Sequence, residues 1–167
     1  RTGSFYVAYS EHAADNGSGA VVLQKYNLAG GTLTRTITDS VLYTWSGADA
    51  AVSPILAVDN NLPTFTDPET SQAVTDPYVG YVYVAWTRSS ANASAIDFVA
   101  SGDAGVNFTA PRQINDAGLS PGARCAAPRL VVSQGTPLAP GATTPRVPGG
   151  QVTVIWDDFS GPQDLIQ

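Results

Sequence analysis

Short apolar segments recur in this chain at intervals of roughly 75 residues, and this recurrence narrows its fold more than any other feature. Ser53-Pro54-Ile55-Leu56-Ala57-Val58-Asp59 returns one interval later as Ala127-Pro128-Arg129-Leu130-Val131-Val132-Ser133. Gly80-Tyr81-Val82-Tyr83-Val84-Ala85-Trp86 returns as Gly150-Gln151-Val152-Thr153-Val154-Ile155-Trp156. An earlier copy, Ser4-Phe5-Tyr6-Val7-Ala8-Tyr9, lies one interval upstream with Tyr9 in the place of Trp86.

Each repeated segment is short, rich in Val, Ile, Tyr and Trp, and bounded by Gly or Pro, which is the signature of a strand. No window of a dozen residues carries the 3.6-residue apolar stripe of a helix. Strands are expected near 4–10, 20–26, 34–38, 55–59, 80–87, 96–101, 112–114, 129–133, 151–157 and 164–167. The fold class is all-β. One unit reads as a four-stranded antiparallel meander: a Pro-led strand, a strand ending in Trp or Tyr, a third after a polar loop, and a fourth before the next Pro. Tandem four-stranded units are the blades of a β-propeller, each apolar on both faces and stacked on its neighbours. The units fall near 1–52, 53–126 and 127–167, the first and last incomplete. The chain thus supplies about two to two and a half blades of a larger propeller. Closure needs at least four blades. The missing strands are therefore expected from residues before Arg1 and after Gln167, or from a partner.

Between the expected third and fourth strands of the middle unit stands Ser101-Gly102-Asp103-Ala104-Gly105-Val106-Asn107-Phe108. It resembles the Asp box, Ser-x-Asp-x-Gly-x-x-Trp/Phe, of the BNR or sialidase-like propeller superfamily. Ser101, Asp103, Gly105 and Phe108 fill its four defining positions. The chemistry suits a turn: Asp103 can accept amide hydrogen bonds, Gly105 can take a positive φ, and Phe108 can anchor the loop. The resemblance implies that this box is structural and remote from any active site. The first unit carries a decayed copy, 26–33, in which Gly30 matches Gly105, Leu33 matches Phe108, and Leu28 replaces the aspartate. That turn is expected to be held differently.

In such a fold, loops 2–3 and 4–1 share the end that commonly binds ligands. Glu11, His12, Asp15, Arg88, Arg124, Asp157 and Asp158 fall there, and Arg129 stands where the earlier repeat has Ile55. Arg129 is either a channel-facing ligand group or a buried, paired arginine. The candidate ligand face is thus Arg129, Arg124, Arg88, Glu11, Asp157 and Asp158. Sialidases of the resembled superfamily use three arginines, a Tyr/Glu pair and an acidic Asp. This chain has no Arg-Ile-Pro signature near an N-terminal strand, and its two glutamates, Glu11 and Glu69, fall on opposite ends. Glycoside hydrolysis generally needs two carboxylates at a set separation, and no such pair can be argued. His12, the single histidine, reads as a solvated loop residue beside a strand end. No catalytic residue is assigned.

Charge narrows the partners. Fourteen Asp and Glu face eight Lys and Arg, a formal net charge of −6, which argues against nucleic acid. No apolar run is long enough for a membrane-spanning helix. The lone cysteine, Cys125, reads as a small buried hydrophobe and excludes an intrachain disulfide. No cofactor is expected. Asp157-Asp158 and Asp15-Asn16 offer oxygens to Ca²⁺, but paired loop aspartates are more often solvated. The composition, with one lysine and no methionine, suits a secreted, periplasmic or cell-surface protein. Two long loops, 60–79 and 134–149, are insertions of a kind that often meets partners, the alternative being surface insertions tolerated at little cost. The expected function is a non-catalytic binding or scaffold module that meets other protein subunits or glycans. The alternative is a piece of a sialidase-like glycoside hydrolase whose catalytic residues lie mostly outside these residues.

Overall fold

In the structure, a computed structural model, residues 2–14, 17–60, 64–66, 71–75, 77–115, 124–133 and 150–159 are described. The expected strand at 164–167, the loop at 134–149, and Asp15, Asn16 and Glu69 lie outside these residues. The described residues form strands and no helix, as their periodicity demands.

Three antiparallel sheets succeed one another along the chain. The first is β1 (Thr2–His12), β2 (Ser18–Ala29) and β3 (Thr32–Ser46), in that order. The second is β4 (Ala50–Val58), β7 (Val82–Ser89), β8 (Ser94–Ser101) and β9 (Arg112–Gln113), a four-stranded meander. The third is the pair β10 (Cys125–Val132) and β11 (Val152–Asp158). Between β4 and β7 the chain forms a small ladder, β5 (Thr64–Thr66) with β6 (Ala73–Thr75). The expected loop at 60–79 therefore carries secondary structure of its own. β3 spans 15 residues where five were expected. The added length lies mostly beyond Thr38, where bulges facing β2 break the alternation.

The middle sheet is covered on both faces. Along β7, Val82, Val84 and Trp86 point one way and enter a core with Val21, Leu23, Leu42, Trp45, Ala51 and Val99. Ala85 points the other way, into a second core with Ile96 and Cys125, against which Ile55, Phe98, Ile114, Val154 and Trp156 pack. Both sets of β7 side chains are therefore apolar, which is why the sequence shows a continuous run rather than alternation. At roughly 1.5–3 kcal/mol for each fully buried aliphatic side chain, this strand ties the three sheets together.

The repeat is present in the backbone as well as in the residues. Ser53 and Ala127, each before a proline, have φ of 54° and 51°. Both sit in register shifts, between Val52 and Ile55 on β4 and between Ala126 and Arg129 on β10. Proline lacks the N–H a ladder needs, so an edge-strand bulge is where it is tolerated. The connection into the next strand also repeats. The Gly80 amide donates to the Asp59 carbonyl at 2.9 Å, and the Gly150 amide donates to the Ser133 carbonyl at 3.1 Å.

Candidate functional site

The strand registers place two sets of turns at opposite ends of the sheets. One end carries the turn of Ser101 to Phe108. Ser101 Oγ donates to Asp103 Oδ1 at 2.8 Å and accepts from the Gly105 amide at 2.9 Å. Asp103 Oδ1 also accepts from the amides of Val106 at 3.1 Å and Asn107 at 2.8 Å. Asp103 Oδ2 accepts from the Asn107 side-chain amide at 2.7 Å. These donors all favour the carboxylate. The Asn107 amide, the Asn107 side chain and the Ser101 hydroxyl hold the Asp103 pKa at about 2, against an ordinary 3.8. Gly105 adopts a φ of 87°, open to glycine and costly for other residues. Phe108 packs on the first core.

This turn also joins two sheets. The Ala104 carbonyl accepts from Tyr6 Oη at 3.0 Å and from Lys25 Nζ at 3.2 Å. The Lys25 ammonium lies 5.3 Å from the centre of the Tyr6 ring. The turn of the middle unit is thereby fastened to β1 and β2 of the first. The decayed copy differs as its missing aspartate predicts. Gly30 and Gly31, with φ of 57° and 82°, close a two-residue hairpin of the I′ kind between Ala29 and Thr32. Leu33 faces Leu28 across that hairpin and is exposed, where Phe108 is packed.

The other end gathers the candidate ligand residues. His12 ends β1, Arg88 nears the end of β7, Arg124 begins the β10 segment, and Asp157 and Asp158 end β11. They are not equivalent in role. Arg88 Nε donates to Asp97 Oδ2 at 2.7 Å, and Arg88 Nη2 donates to Gln113 Oε1 at 3.2 Å. The Asp97 side chain is 5% exposed and that of Arg88 31%. The hydrogen bond to Asp97 raises the Arg88 pKa, against the opposing effect of burial. Burial raises the phenol of nearby Tyr43, and the Arg88 charge opposes that. Arg88 thus belongs to a cross-strand network rather than to an open face.

Glu11, Arg124, Asp157 and Asp158 are exposed. Arg124 forms a parallel bridge with Ser94, and its carbonyl accepts from the Phe159 amide at 2.8 Å. Asp157 and Asp158 are neighbours on one strand, so their carboxylates leave opposite faces and are poorly placed to chelate one ion. Among the described residues, no three His, Cys, Asp or Glu side chains gather as a metal site. His12 is the last residue of a strand rather than part of a loop, and its ring meets Trp45 edge-on at 5.2 Å.

Arg129 is exposed, and its Nη1 donates to the carbonyls of Ala127 and Pro128, each at 3.1 Å. Of the two roles expected for it, the buried and paired one does not describe this arrangement. Arg129 and Asp157 line a shallow depression of about 120 Å³ with Ala127, Ile155 and Trp156.

Two polar residues escaped sequence reasoning. Asp97 sits inside the apolar run of β8, and that position was itself the available signal. Asn115 is buried: its Oδ1 accepts from the Ile96 amide at 2.9 Å, and its Nδ2 lies 3.5 Å from the Cys125 sulfur. Cys125 is buried in the second core. No helix among the described residues is long and apolar enough to cross a membrane. No family model, no curated protein and no solved structure matches the chain.

Proposed function

We propose that the chain is a non-catalytic binding or scaffold module built from successive sialidase-like propeller blades. Its setting would be an exported or surface-associated assembly. One observation carries this reading. The residues of the Asp-box resemblance are spent on a turn that fastens one sheet to the preceding one, through Ala104 to Tyr6 and Lys25. The meander order of the middle sheet and the matching bulges before Pro54 and Pro128 support tandem blades. The exposed charges of Glu11, Arg124, Asp157 and Asp158 at the opposite end are the groups a glycan or another subunit would meet. Arg129 and its neighbouring depression supply a further contact.

The test is a titration of the isotopically labelled chain with neutral and sialylated oligosaccharides, followed by NMR, beside an assay with a fluorogenic sialoside. The reading expects shifts near Arg124, Arg129 and Asp157, none near Asp103, and no turnover. Turnover of the sialoside would replace it with the glycoside-hydrolase reading.

A further inference from the structure

The first sheet has a second face. Along β1, Tyr6 and Ala8 pack on the first core, so Phe5, Val7 and Tyr9 point away from it. Phe5 is 44% exposed, Val7 37% and Val41 55%. Tyr26 stacks on Phe5 with ring centres 5.2 Å apart. By the repeat, Phe5, Val7 and Tyr9 occupy the places of Val82, Val84 and Trp86. Those three are fully buried against a preceding sheet.

Among the described residues, the third sheet has a matching exposed face. Val154 and Trp156 pack on the second core, so Ile155 points outward, 62% exposed. Arg129 is its partner across the ladder, and Val131, also exposed, lies further along β10. By the same repeat this is the face that β4 and β7 turn toward the third sheet.

The residues that break the repeat on the two faces complement each other. Inside the chain, Ile55 of one sheet belongs to the core that takes in Val154 and Trp156 of the next. Arg129 replaces that isoleucine. Val7 and Tyr9 hold the places of Val154 and Trp156. Tyr9 Oη lies 3.4 Å from Asp39 Oδ1 and 3.0 Å from Gln24 Nε2, and Gln24 Nε2 donates to Asp39 at 2.6 Å. The charges acting on Tyr9 are those of Asp39 and Glu11, opposed more weakly by Arg35. A cation has replaced an apolar residue on one face. On the other, an indole has given way to a phenol bound to a carboxylate.

We propose that the β1–β3 outer face docks head to tail on the β10–β11 outer face of a second copy of this chain, with Arg129 of one copy reaching Tyr9 and Asp39 of the other. This contact goes beyond the binding role above and needs no ligand at the charged end. It is heterologous, so each added copy leaves one face of each kind open until the rotation closes a ring.

Light scattering on size-exclusion fractions tests it with the whole chain. The wild type should show masses that rise with concentration through multiples of the monomer. Val7→Asp and Ile155→Asp, both exposed sites, should each give monomers that keep the wild-type circular dichroism. Mixed together, they should form one heterodimer and nothing larger, since each retains the face the other lacks. Arg129→Glu should weaken association at least about tenfold by placing a like charge against Asp39. A wild type that stays monomeric at every concentration would overturn the proposal. So would self-association of either single variant, or a mixture that forms no heterodimer.

Discussion

Ser53 and Ala127 share a left-handed backbone, with φ of 54° and 51°, and each precedes a proline inside its strand rather than at its start. Two residues of different chemistry hold one uncommon conformation because the bulge, not the side chain, sets it. Ser53→Val and Ala127→Val should therefore each destabilise the chain by about 1–3 kcal/mol, since a β-branched residue fits positive φ poorly. Urea unfolding of both variants checks this, and the two losses should be similar.

Asp103 should make stability depend on acid. Its folded pKa of about 2 lies below the ordinary 3.8, so the ionised carboxylate is favoured in the folded state. Its contribution is fully present above pH 4 and is lost as pH falls toward 2. At pH 6, Asp103→Asn should melt below the wild type, and the gap should close as the pH is lowered through that window. A gap that stays constant from pH 6 to pH 2 would show that the charge does not hold the turn.

Arg88 and Asp97 should respond unequally to substitution. Arg88→Leu leaves a carboxylate buried without its cation and should cost about 3 kcal/mol. Asp97→Asn keeps a hydrogen-bond acceptor and leaves an arginine that can still reach water, so it should cost roughly half as much. Denaturant midpoints of the two variants decide the order, and equal losses would refute it.

Gly19 should tolerate no side chain. A Cβ there would collide with the Trp45 ring and with the Glu11 carbonyl oxygen. The backbone carbonyl cannot swing aside as a flexible side chain would. Gly19→Ala should cost about 1–3 kcal/mol. It should also change the near-ultraviolet signal of Trp45, the ring it displaces.

The sequence made the all-β character and the order of the strands legible because Gly and Pro mark almost every boundary and the apolar runs between them are short. The turn at 101–108 was legible at Ser101, Asp103 and Gly105, where each residue has a single geometric task. β3 was legible only over 34–38; its length beyond Thr38 was not, because the bulges facing β2 shift the register there and break the alternation. The ladder of β5 and β6 was hidden in a segment rich in Pro, Asp and Thr. The candidate ligand end was legible as a location but not as a set of partners. Arg88 looked like a surface cation because its counter-ion, Asp97, stands on the next strand, and pairing across a ladder depends on register. Arg129 looked equally suited to two roles because both its strand faces could have been covered.

Trp86 of β7 and Trp156 of β11 each pack onto the sheet that precedes their own. Nuclear Overhauser spectra of the labelled chain test this most directly. Cross-peaks are expected from the Trp86 indole to the Tyr43 ring, whose centre lies 5.7 Å away. Cross-peaks are also expected from Trp156 to side chains of the second core, Ile96 among them. A Trp86 indole that contacts Ile96 and Cys125 but not Tyr43 would place it on the wrong face of the middle sheet and contradict this packing.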